Sequence, residues 1–348
     1  ASFSQSGTYV LRLTANDGAL ATTDDIWVSV NQELTPFTVS NNNNSGTGSL
    51  RQAVLNANAS ANPNVTIDFT PNVRGRIVLT GFEIEFNRPI GTNLKINGPG
   101  AEVLSIESNF AHRVFRVQLG NIKISGLRIS RGSGSGFPAG GGIFLSEGAS
   151  LMLENCSVTQ NQGGGIATMS DSTLNVNNST ISGNDGGGID GAGILNVTNS
   201  TVSDNFGSDN AGIRWLNGSV TLTNITVSGN RGIDSGGINI DGATTTILNS
   251  TIAENFGGSG VAAHTGGLRI DSGIVSLKNT IIADNQAFTP DIRGSINSQG
   301  NNLVRNRTGG TGFVASDLPN NTNPRLGGFA NNGGATYTYS LRSTSPAI

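Results

Sequence analysis

An asparagine pair recurs along the middle of the chain, and no other feature of the sequence constrains the fold as strongly. The first asparagines of the pairs are Asn155, Asn178, Asn199, Asn224, Asn249 and Asn279. The second asparagines, each six positions later, are Asn161, Asn184, Asn205, Asn230, Asn255 and Asn285. Successive pairs stand 21 to 30 residues apart, a spacing typical of repeat proteins in which each unit packs only on its neighbours.

Aliphatic residues surround each first asparagine at fixed positions. Two positions before it stand Leu153, Val176, Val197, Leu222, Ile247 and Leu277, and three positions after it stand Val158, Ile181, Val202, Val227, Ile252 and Ile282. They alternate with polar residues in the two-residue period of a β-strand, and a further aliphatic strand follows a glycine-rich stretch in each repeat. The pattern predicts an all-β, single-stranded parallel β-helix with three strands per coil and about nine or ten coils, roughly 45 Å long.

The recurring asparagines have a structural explanation. Asparagine tolerates the left-handed backbone conformation better than other residues with a side chain, so the first asparagine suits a sharp bend between two strands. Stacked coils would place the amides about 4.8 Å apart, within reach of hydrogen bonds along the stack, and we expect the second asparagines to behave likewise at the next turn. Turn geometry therefore explains the Asn-Ser-Thr sequons without glycosylation.

The two ends of the coil region differ from its middle. The segment GSLRQAVLNANA places Leu50, Val54 and Ala57 on one helical face, with Ser49 as a candidate N-cap, and this short helix would plug the amino-terminal end. We predict a hairpin at 1–32, an amino-terminal cap with the helix at 33–76, the β-helix at 77–300 and a carboxy-terminal cap at 301–348.

Two segments carry a family resemblance. GSLRQAV at 48–54 resembles the Cys-Ser-Leu-Arg-Glu-Ala-Ile motif that opens many bacterial surface β-helix proteins, with Gly48 in place of Cys and Gln52 in place of Glu. Residues 323–348 are similar to the segment that closes choice-of-anchor β-helix domains, although the expected Asp after Pro-Ala-Ile is missing. The resemblance covers about 37–348. It implies a right-handed β-helix that is secreted or held on a bacterial cell surface, and it implies no shared reaction.

The first thirty residues form a different unit. They contain two alternating strands around Asn-Asp-Gly, and they resemble the last two strands of a PKD-like or other immunoglobulin-like domain. Two strands alone are marginally stable in water, so the hairpin is expected to pair with the first coil or with another copy of the protein. Pairing between copies would join subunits head to tail into a filament.

Composition excludes several functional classes. Charged residues make up 12% of the 348 residues and the formal net charge is -3, so we predict no nucleic-acid partner. No apolar run is long enough to cross a bilayer and no signal peptide is present, so we expect a soluble, mature fragment. The acids Asp17, Asp24 and Asp25 could bind Ca²⁺ as acids in immunoglobulin-like repeats do, but they match no calcium-loop spacing, so we predict no metal or cofactor. Cys156 occupies a repeat position filled elsewhere by Ser, Thr or Ile, which indicates a packed thiol.

One row of polar residues could carry chemistry. Aligned third strands place Arg214, Asn239 and Arg269 on one outward line, while Trp215 is expected to face inward. Asp241 and Asp271 lie two residues beyond the last two members, and His264 lies in the adjoining loop. This row could bind a glycan, or Arg269 or His264 could act as a base beside Asp271. Ion pairing between neighbouring strands explains the same pattern.

These observations leave three hypotheses for the function. The leading one is an extracellular structural or adhesive protein, which strand addition through the hairpin would join into a self-assembling fibre. The second is a β-helix lyase or hydrolase acting on an acidic polysaccharide, although neither the clustered Asp of pectate-lyase-like enzymes nor the Gly-His-Gly of polygalacturonase-like enzymes is present. The third is a glycan-binding module without turnover.

Overall fold

The structure is a computed structural model that describes residues 7–30, 37–135, 139–258, 260 and 264–348. Its helix is α1 (Leu50–Ala59). Its strands are β1 (Gly7–Asn16), β2 (Ala21–Val30), β3 (Thr38–Val39), β4 (Asn64–Phe69), β5 (Gly75–Val78), β6 (Ile84–Asn87), β7 (Asn93–Asn97), β8 (Leu104–Glu107), β9 (Phe115–Leu119), β10 (Asn121–Ser125), β11 (Arg128–Ser130), β12 (Ile143–Leu145), β13 (Ser150–Glu154), β14 (Ser157–Thr159), β15 (Ile166–Thr168), β16 (Thr173–Asn177), β17 (Thr180–Ser182), β18 (Ile189–Thr198), β19 (Thr201–Ser203), β20 (Phe206–Gly207), β21 (Ile213–Thr223), β22 (Thr226–Ser228), β23 (Arg231–Gly232), β24 (Ile238–Leu248), β25 (Thr251–Ala253), β26 (Leu268–Lys278), β27 (Ile281–Ala283), β28 (Ile292–Ser295), β29 (Asn297–Ser298), β30 (Leu303–Val304), β31 (Gly310–Thr311), β32 (Leu326–Ala330) and β33 (Thr338–Leu341).

The chain coils into a parallel β-solenoid, as the repeats predicted. Within the described residues, a ten-stranded parallel sheet takes one short strand from each successive coil, from β5 to β30. A wide sheet of 17 strands holds the other two strands of each coil. In β18, β21, β24 and β26 these two strands run together and bend at glycines with positive φ, such as Gly218 and Gly242 at 94°. The three-strand coil is thus preserved, but one of its turns shrinks to a glycine bend.

The core is the column of stacked aliphatic residues that the repeats indicated. Leu174 pairs in register with Leu195, and Ile181 with Val202, so equivalent side chains lie above one another along the axis. All four are fully buried, and Trp215 is also inside. Cys156 is buried in the same interior, which confirms a packed thiol, and burial raises its pKa to about 11.

The coils extend beyond the predicted limits at both ends. β4 already pairs with β7 in the wide sheet, so the parallel sheet begins before residue 77. At the other end β30 pairs with β27 and β31 with β28, so coil pairing continues past residue 300. The end coils lack the asparagine pair that marks the middle ones, so the repeats did not indicate these pairings.

The first asparagines adopt the predicted bend conformation. Asn155, Asn178, Asn199, Asn224, Asn249 and Asn279 have φ between 48° and 53°. Their side chains are exposed or half-exposed, and amide hydrogen bonds join Asn224 to Asn199 and Asn279 to Asn249 at 3.2 and 3.0 Å. The second asparagines do not share this conformation. The left-handed residue at that turn is the one before them, as at Asp204 and Glu254.

The second asparagines form a continuous buried ladder. The Nδ2 atoms of Asn161, Asn184, Asn205, Asn230 and Asn255 each donate to Oδ1 of the next asparagine at 2.9–3.0 Å. Every Nδ2 also donates to a backbone carbonyl of the preceding coil, as Asn205 does to Ile181 at 3.1 Å. The ladder starts where the Gly132 N–H donates to Asn161, and it ends where Asn285 donates to the carboxylate of Asp291 at 2.9 Å. These buried amides therefore have their hydrogen bonds satisfied.

A column of glycines packs against this ladder. It consists of Gly142, Gly165, Gly188, Gly212, Gly237 and Gly267. A Cβ atom at Gly188 would lie 2.7 Å from the Gly212 carbonyl oxygen and 2.8 Å from Nδ2 of Asn205. Successive coils approach each other too closely here for any side chain, which explains the glycine-rich stretch in each repeat.

Helix α1 has the predicted cap and buried face. The Ser49 side chain accepts a hydrogen bond from the Gln52 N–H at 3.2 Å, while Leu50, Val54 and Ala57 are buried. The fully buried Arg88 donates to the carbonyls of Ala57, Ser60 and Asn62 around the end of the helix. Its guanidinium satisfies carbonyl groups that the helix leaves open.

The last residues form a strap along the side of the solenoid. Strands β32 and β33 pair in antiparallel fashion, and we call residues 326–341 the strap. The Tyr337 carbonyl accepts from Thr201 at 2.7 Å, and the Tyr339 hydroxyl lies 2.6 Å from Ser228 Oγ. Thr201 and Ser228 belong to β19 and β22, far from the last coil in sequence. Part of the predicted terminal cap therefore covers the ten-stranded sheet instead.

The predicted amino-terminal hairpin is present as β1 and β2. The two strands pair over their whole length, and within the described residues they pair with no third strand. One face carries Leu11 and Leu13 beside Ile26 and Val28, and Trp27 lies on the other face. Leu13 is 69% exposed and Trp27 is 72% exposed, so the hairpin has apolar surface without a covering layer.

Candidate functional site

A row of outward side chains runs along the wide sheet where the glycine-rich turns end. Strand register aligns Glu85, Arg116, Phe144, Ala167, Asp190, Arg214, Asn239, Arg269 and Arg293. Three of these, Arg214, Asn239 and Arg269, are the residues that the sequence placed on one line. The register puts neighbouring members about 4.8 Å apart, so the row is continuous, and it is polar except at Phe144 and Ala167.

The carboxy-terminal part of the row is a network of ion pairs. Arg269 Nε lies 2.8 Å from the Asp271 carboxylate, and Arg293 reaches the same carboxylate at 2.8 Å. Asp234, from the preceding loop, lies 3.7 Å from Arg269 and 3.6 Å from His264 Nε2. The structure thus brings Arg269, Asp271 and His264 into one cluster, and each carboxylate already faces a cationic group or His264.

Asp241 lies outside this cluster. The register between β24 and β26 shifts after Ile240, and Asp241 pairs with Ser272 instead of facing Asp271. Its carboxylate accepts a hydrogen bond from Ser272 Oγ at 2.8 Å. The expectation that Asp241 and Asp271 occupy equivalent positions was wrong because a bulge interrupts the strand pairing.

Asn239 belongs to the row but is buried beneath a neighbouring loop. Its side chain is 5% exposed, and its Nδ2 donates to Oδ1 of Asn210 at 3.0 Å. Asn210 belongs to the loop before β21, so this bond fixes the loop against the row. Asn239 therefore holds the loop in place, and a ligand contact at this residue stays a prediction.

A cleft opens beside Asp190 and Arg214 in the middle of the row. It has a volume of about 170 Å³, and we call it the glycine cleft. Its lining residues are Ala139, Gly163, Gly186, Gly187, Ile189, Asp190, Ser208, Asp209, Asn210, Ala211, Gly212 and Arg214. Arg214 Nη1 lies 3.4 Å from Asp190 Oδ1. Burial raises the pKa of Asp190 above its usual value, and the nearby Arg214 opposes that rise in part.

Sequence reasoning missed Asp190, although a signal was present. Asp190 follows Ile189 in Gly-Gly-Gly-Ile-Asp, and Arg214 follows Ile213 in the next repeat. Aligning the third strands on these two isoleucines would have put Asp190 on the same line as Arg214.

We expect Asp190→Asn to change the acid dependence of stability. A carboxyl group whose folded pKa is raised contributes stability below its unfolded pKa, and that contribution is lost as pH rises through the folded value. Asparagine does not titrate, so the difference in melting temperature, variant minus wild type, should grow more positive as pH rises from about 3 to 6. Thermal unfolding across this pH range measures it, with Asp241→Asn as the exposed control. If the difference in melting temperature between Asp190→Asn and the wild type does not change with pH, the argument from burial of Asp190 is contradicted.

Two of the three acids considered for calcium, Asp17 and Asp25, have local partners in the hairpin. Asp17 accepts hydrogen bonds from the N–H groups of Ala19 and Leu20 within the β1–β2 turn. Asp25 pairs with Arg12 at 2.8 Å across the hairpin. In the part of the chain that the structure describes, no group of three or more His, Cys, Asp or Glu side chains could hold a metal ion.

Comparison with known proteins agrees with the architecture. The family model described as right handed beta helix region matches residues 81–219. No curated protein and no solved structure matches the chain. Among the described residues, no helix combines the length and the apolar character that a membrane span requires. The chain is thus similar to right-handed β-helix proteins over the region that includes the glycine cleft.

Proposed function

We propose that this right-handed parallel β-helix is a stiff structural or adhesive module of an extracellular or bacterial surface protein. The observation that carries the proposal is the unbroken asparagine ladder, which joins coils from Asn161 to Asp291 through buried amides. Each amide is held by its neighbours on both sides, so bending one coil away from the next breaks several buried hydrogen bonds together. Such a stack suits a spacer or display scaffold better than a flexible linker.

The outer face of the wide sheet supports this role. One outward column of this sheet carries short uncharged side chains in register, namely Asn175, Asn196, Thr221, Thr246 and Ser276. These side chains are exposed or half-exposed. A column of this kind neither attracts polyions nor exposes a large apolar group. The resemblance of the opening and closing segments to bacterial surface β-helix proteins supports the extracellular location.

The hairpin is the element through which copies would join. Its apolar face is uncovered, and the outer edges of β1 and β2 have no strand partner in the described residues. A two-stranded sheet in this condition gains stability by adding a strand or burying its apolar face. Contact between the hairpin of one copy and a different surface of the next copy is heterologous, and it would produce a head-to-tail filament.

We expect the protein to self-associate through this hairpin as its concentration rises. Ile26→Asp places a charge on the apolar face of the hairpin. This variant should remain monomeric at concentrations where the wild type associates. Ile90→Asp is the matched control, because Ile90 is also exposed but lies on the solenoid, and it should associate as the wild type does. Sedimentation velocity and electron microscopy of purified protein measure the effect. A wild-type protein that remains monomeric at high concentration would overturn the joining role.

The lyase or hydrolase hypothesis has weaker support. Arg269 is already paired with Asp271 and Asp234, and a guanidinium held by two carboxylates is a poor general base. Screening acidic polysaccharides for new unsaturated or reducing ends tests this hypothesis, and activity lost in Arg269→Ala would favour it. The glycan-binding hypothesis has a specific site to consider, the glycine cleft.

A further inference from the structure

The glycine cleft exists because two neighbouring coils have the shortest turns. Four residues separate Asn161 from β15, and four separate Asn184 from β18. In the next two coils the corresponding turns have seven residues, 206–212 and 231–237. The short turns are mostly glycine, so they leave a depression beside the longer turn at 206–212. The floor of this depression is bare backbone, since Gly163, Gly186 and Gly187 have no side chains.

The wall of the cleft carries both hydrogen-bond donors and acceptors. Asp190 and Arg214 stand side by side in the row, and their side chains are 22% and 26% exposed. Asp209 and Asn210 approach from the longer turn, and the buried Asn239 holds Asn210 in place. A carboxylate, a guanidinium and an amide converge on a small, largely preformed space. This arrangement suits a ligand with several neighbouring hydroxyl groups.

Size and charge narrow the class of ligand. The cleft is smaller than the roughly 300–1,000 Å³ that drug-sized ligands fill, so it accommodates about one ring. The lining carries Asp190 and Asp209 against Arg214, which makes it net negative by one charge. A sugar acid would add a further carboxylate to this site and be repelled.

We propose that the glycine cleft binds one uncharged sugar residue of a glycan, with Asp190 and Arg214 contacting its hydroxyl groups. This refines the glycan-binding hypothesis, and it differs from the acidic polysaccharide that the sequence suggested. It is independent of self-association, because the hairpin contributes no residue to the cleft.

An array of neutral, amino and acidic oligosaccharides tests the proposal with the full chain. We expect binding to one or more neutral glycans and none to acidic ones. Asp190→Asn should weaken that binding at least about tenfold, because it removes a charged acceptor. Ser208→Trp should abolish it by filling the cleft from an exposed loop position. Asp241→Asn, outside the cleft, should bind as the wild type does.

Each result has a defined meaning. Binding to acidic glycans alone, or to no glycan on the array, overturns the proposal. Neutral binding that survives both Asp190→Asn and Ser208→Trp also overturns it, because the site then lies elsewhere. Circular dichroism and the melting temperature establish that the variants are folded. Sedimentation of the same samples reports self-association separately, so failure of the sugar site is distinguishable from failure of the structural role.

Discussion

Asn205→Ala should destabilise the solenoid by roughly 3–6 kcal/mol, the largest effect that we expect from a single side chain. The Asn205 amide makes four buried hydrogen bonds. Alanine leaves the N–H and Nδ2 groups of Asn184 and the Ile181 carbonyl without these partners. Each orphaned buried group costs about 1–3 kcal/mol, and no water can reach the interior without opening the stack.

The matched control is in the same coil. Asn196 donates an amide hydrogen bond to Asn175 at 2.9 Å, so it takes part in the same type of asparagine contact. Its side chain is half-exposed, however, and water can replace the lost partner. Asn196→Ala should therefore change stability by less than about 1 kcal/mol.

Chemical denaturation of both variants measures the difference. The transition should be monitored by two probes, because repeat proteins can unfold in parts rather than in one step. If Asn205→Ala and Asn196→Ala shift the midpoint equally, the ladder adds no stability beyond that of exposed amides. The rigidity argument for the proposed function would then lose its basis.

Gly212→Ala should destabilise the protein by about 3 kcal/mol or more, although it adds a single methyl group. The new Cβ atom would lie 2.1 Å from the carbonyl oxygen of Gly237 in the next coil. Relieving that contact means separating the coils, which stretches the bond from the Ile213 N–H to the same carbonyl, now 2.9 Å. The neighbouring amide of Asn230 would be displaced as well, since it lies 3.2 Å from the same point.

Gly328→Ala is the corresponding control. Gly328 lies in β32 of the strap, and a Cβ atom there would have no neighbour within 4 Å. Its effect on stability should stay within about 0.5 kcal/mol. Thermal and denaturant unfolding compare the two alanine variants. Tolerance of Gly212→Ala would mean that the coils can move apart at the glycine column, which the stacked geometry does not allow.

The repeats made most of the solenoid predictable. Leu174, Val176 and Ile181 recur at fixed distances from Asn178, and this spacing gave the strands, their inward faces and the bend. Local chemistry was also sufficient for helix α1, because its cap and buried face lie within ten residues of each other. These features depend on neighbours along the chain or on the same position in the next repeat.

The two asparagine columns could not be distinguished from the sequence. Both recur with the same residue type and spacing, but Asn199 lies at an exposed bend while Asn205 is buried. The difference depends on which way each side chain points at its turn, which the pattern does not specify. The strap was unpredictable for another reason, since Tyr337 and Tyr339 contact Thr201 and Ser228 more than 100 residues away.

The candidate site was predicted only in part. Repeat alignment placed Arg214, Asn239 and Arg269 together because strand register is the same in successive coils. It did not place Asp234 beside Arg269, because the loops that carry Asp234 and His264 differ in length between repeats. The glycine cleft depends on the contrast between short and long turns, and this shape becomes visible only when the coils are stacked.

The direction in which the ladder amides donate their hydrogen bonds limits the number of coils that the ladder can join. Each side-chain amide donates one hydrogen forward to the next asparagine, and the series closes on Asp291, whose carboxylate accepts from Asn285 and does not donate. A second carboxylate, that of Asp317, accepts from Asn302, which follows Thr280 in the neighbouring column of hydroxyl side chains. The asparagine ladder therefore has a defined end, and a second solenoid cannot extend its series of amide hydrogen bonds. Longer assemblies of this protein must be built through other surfaces.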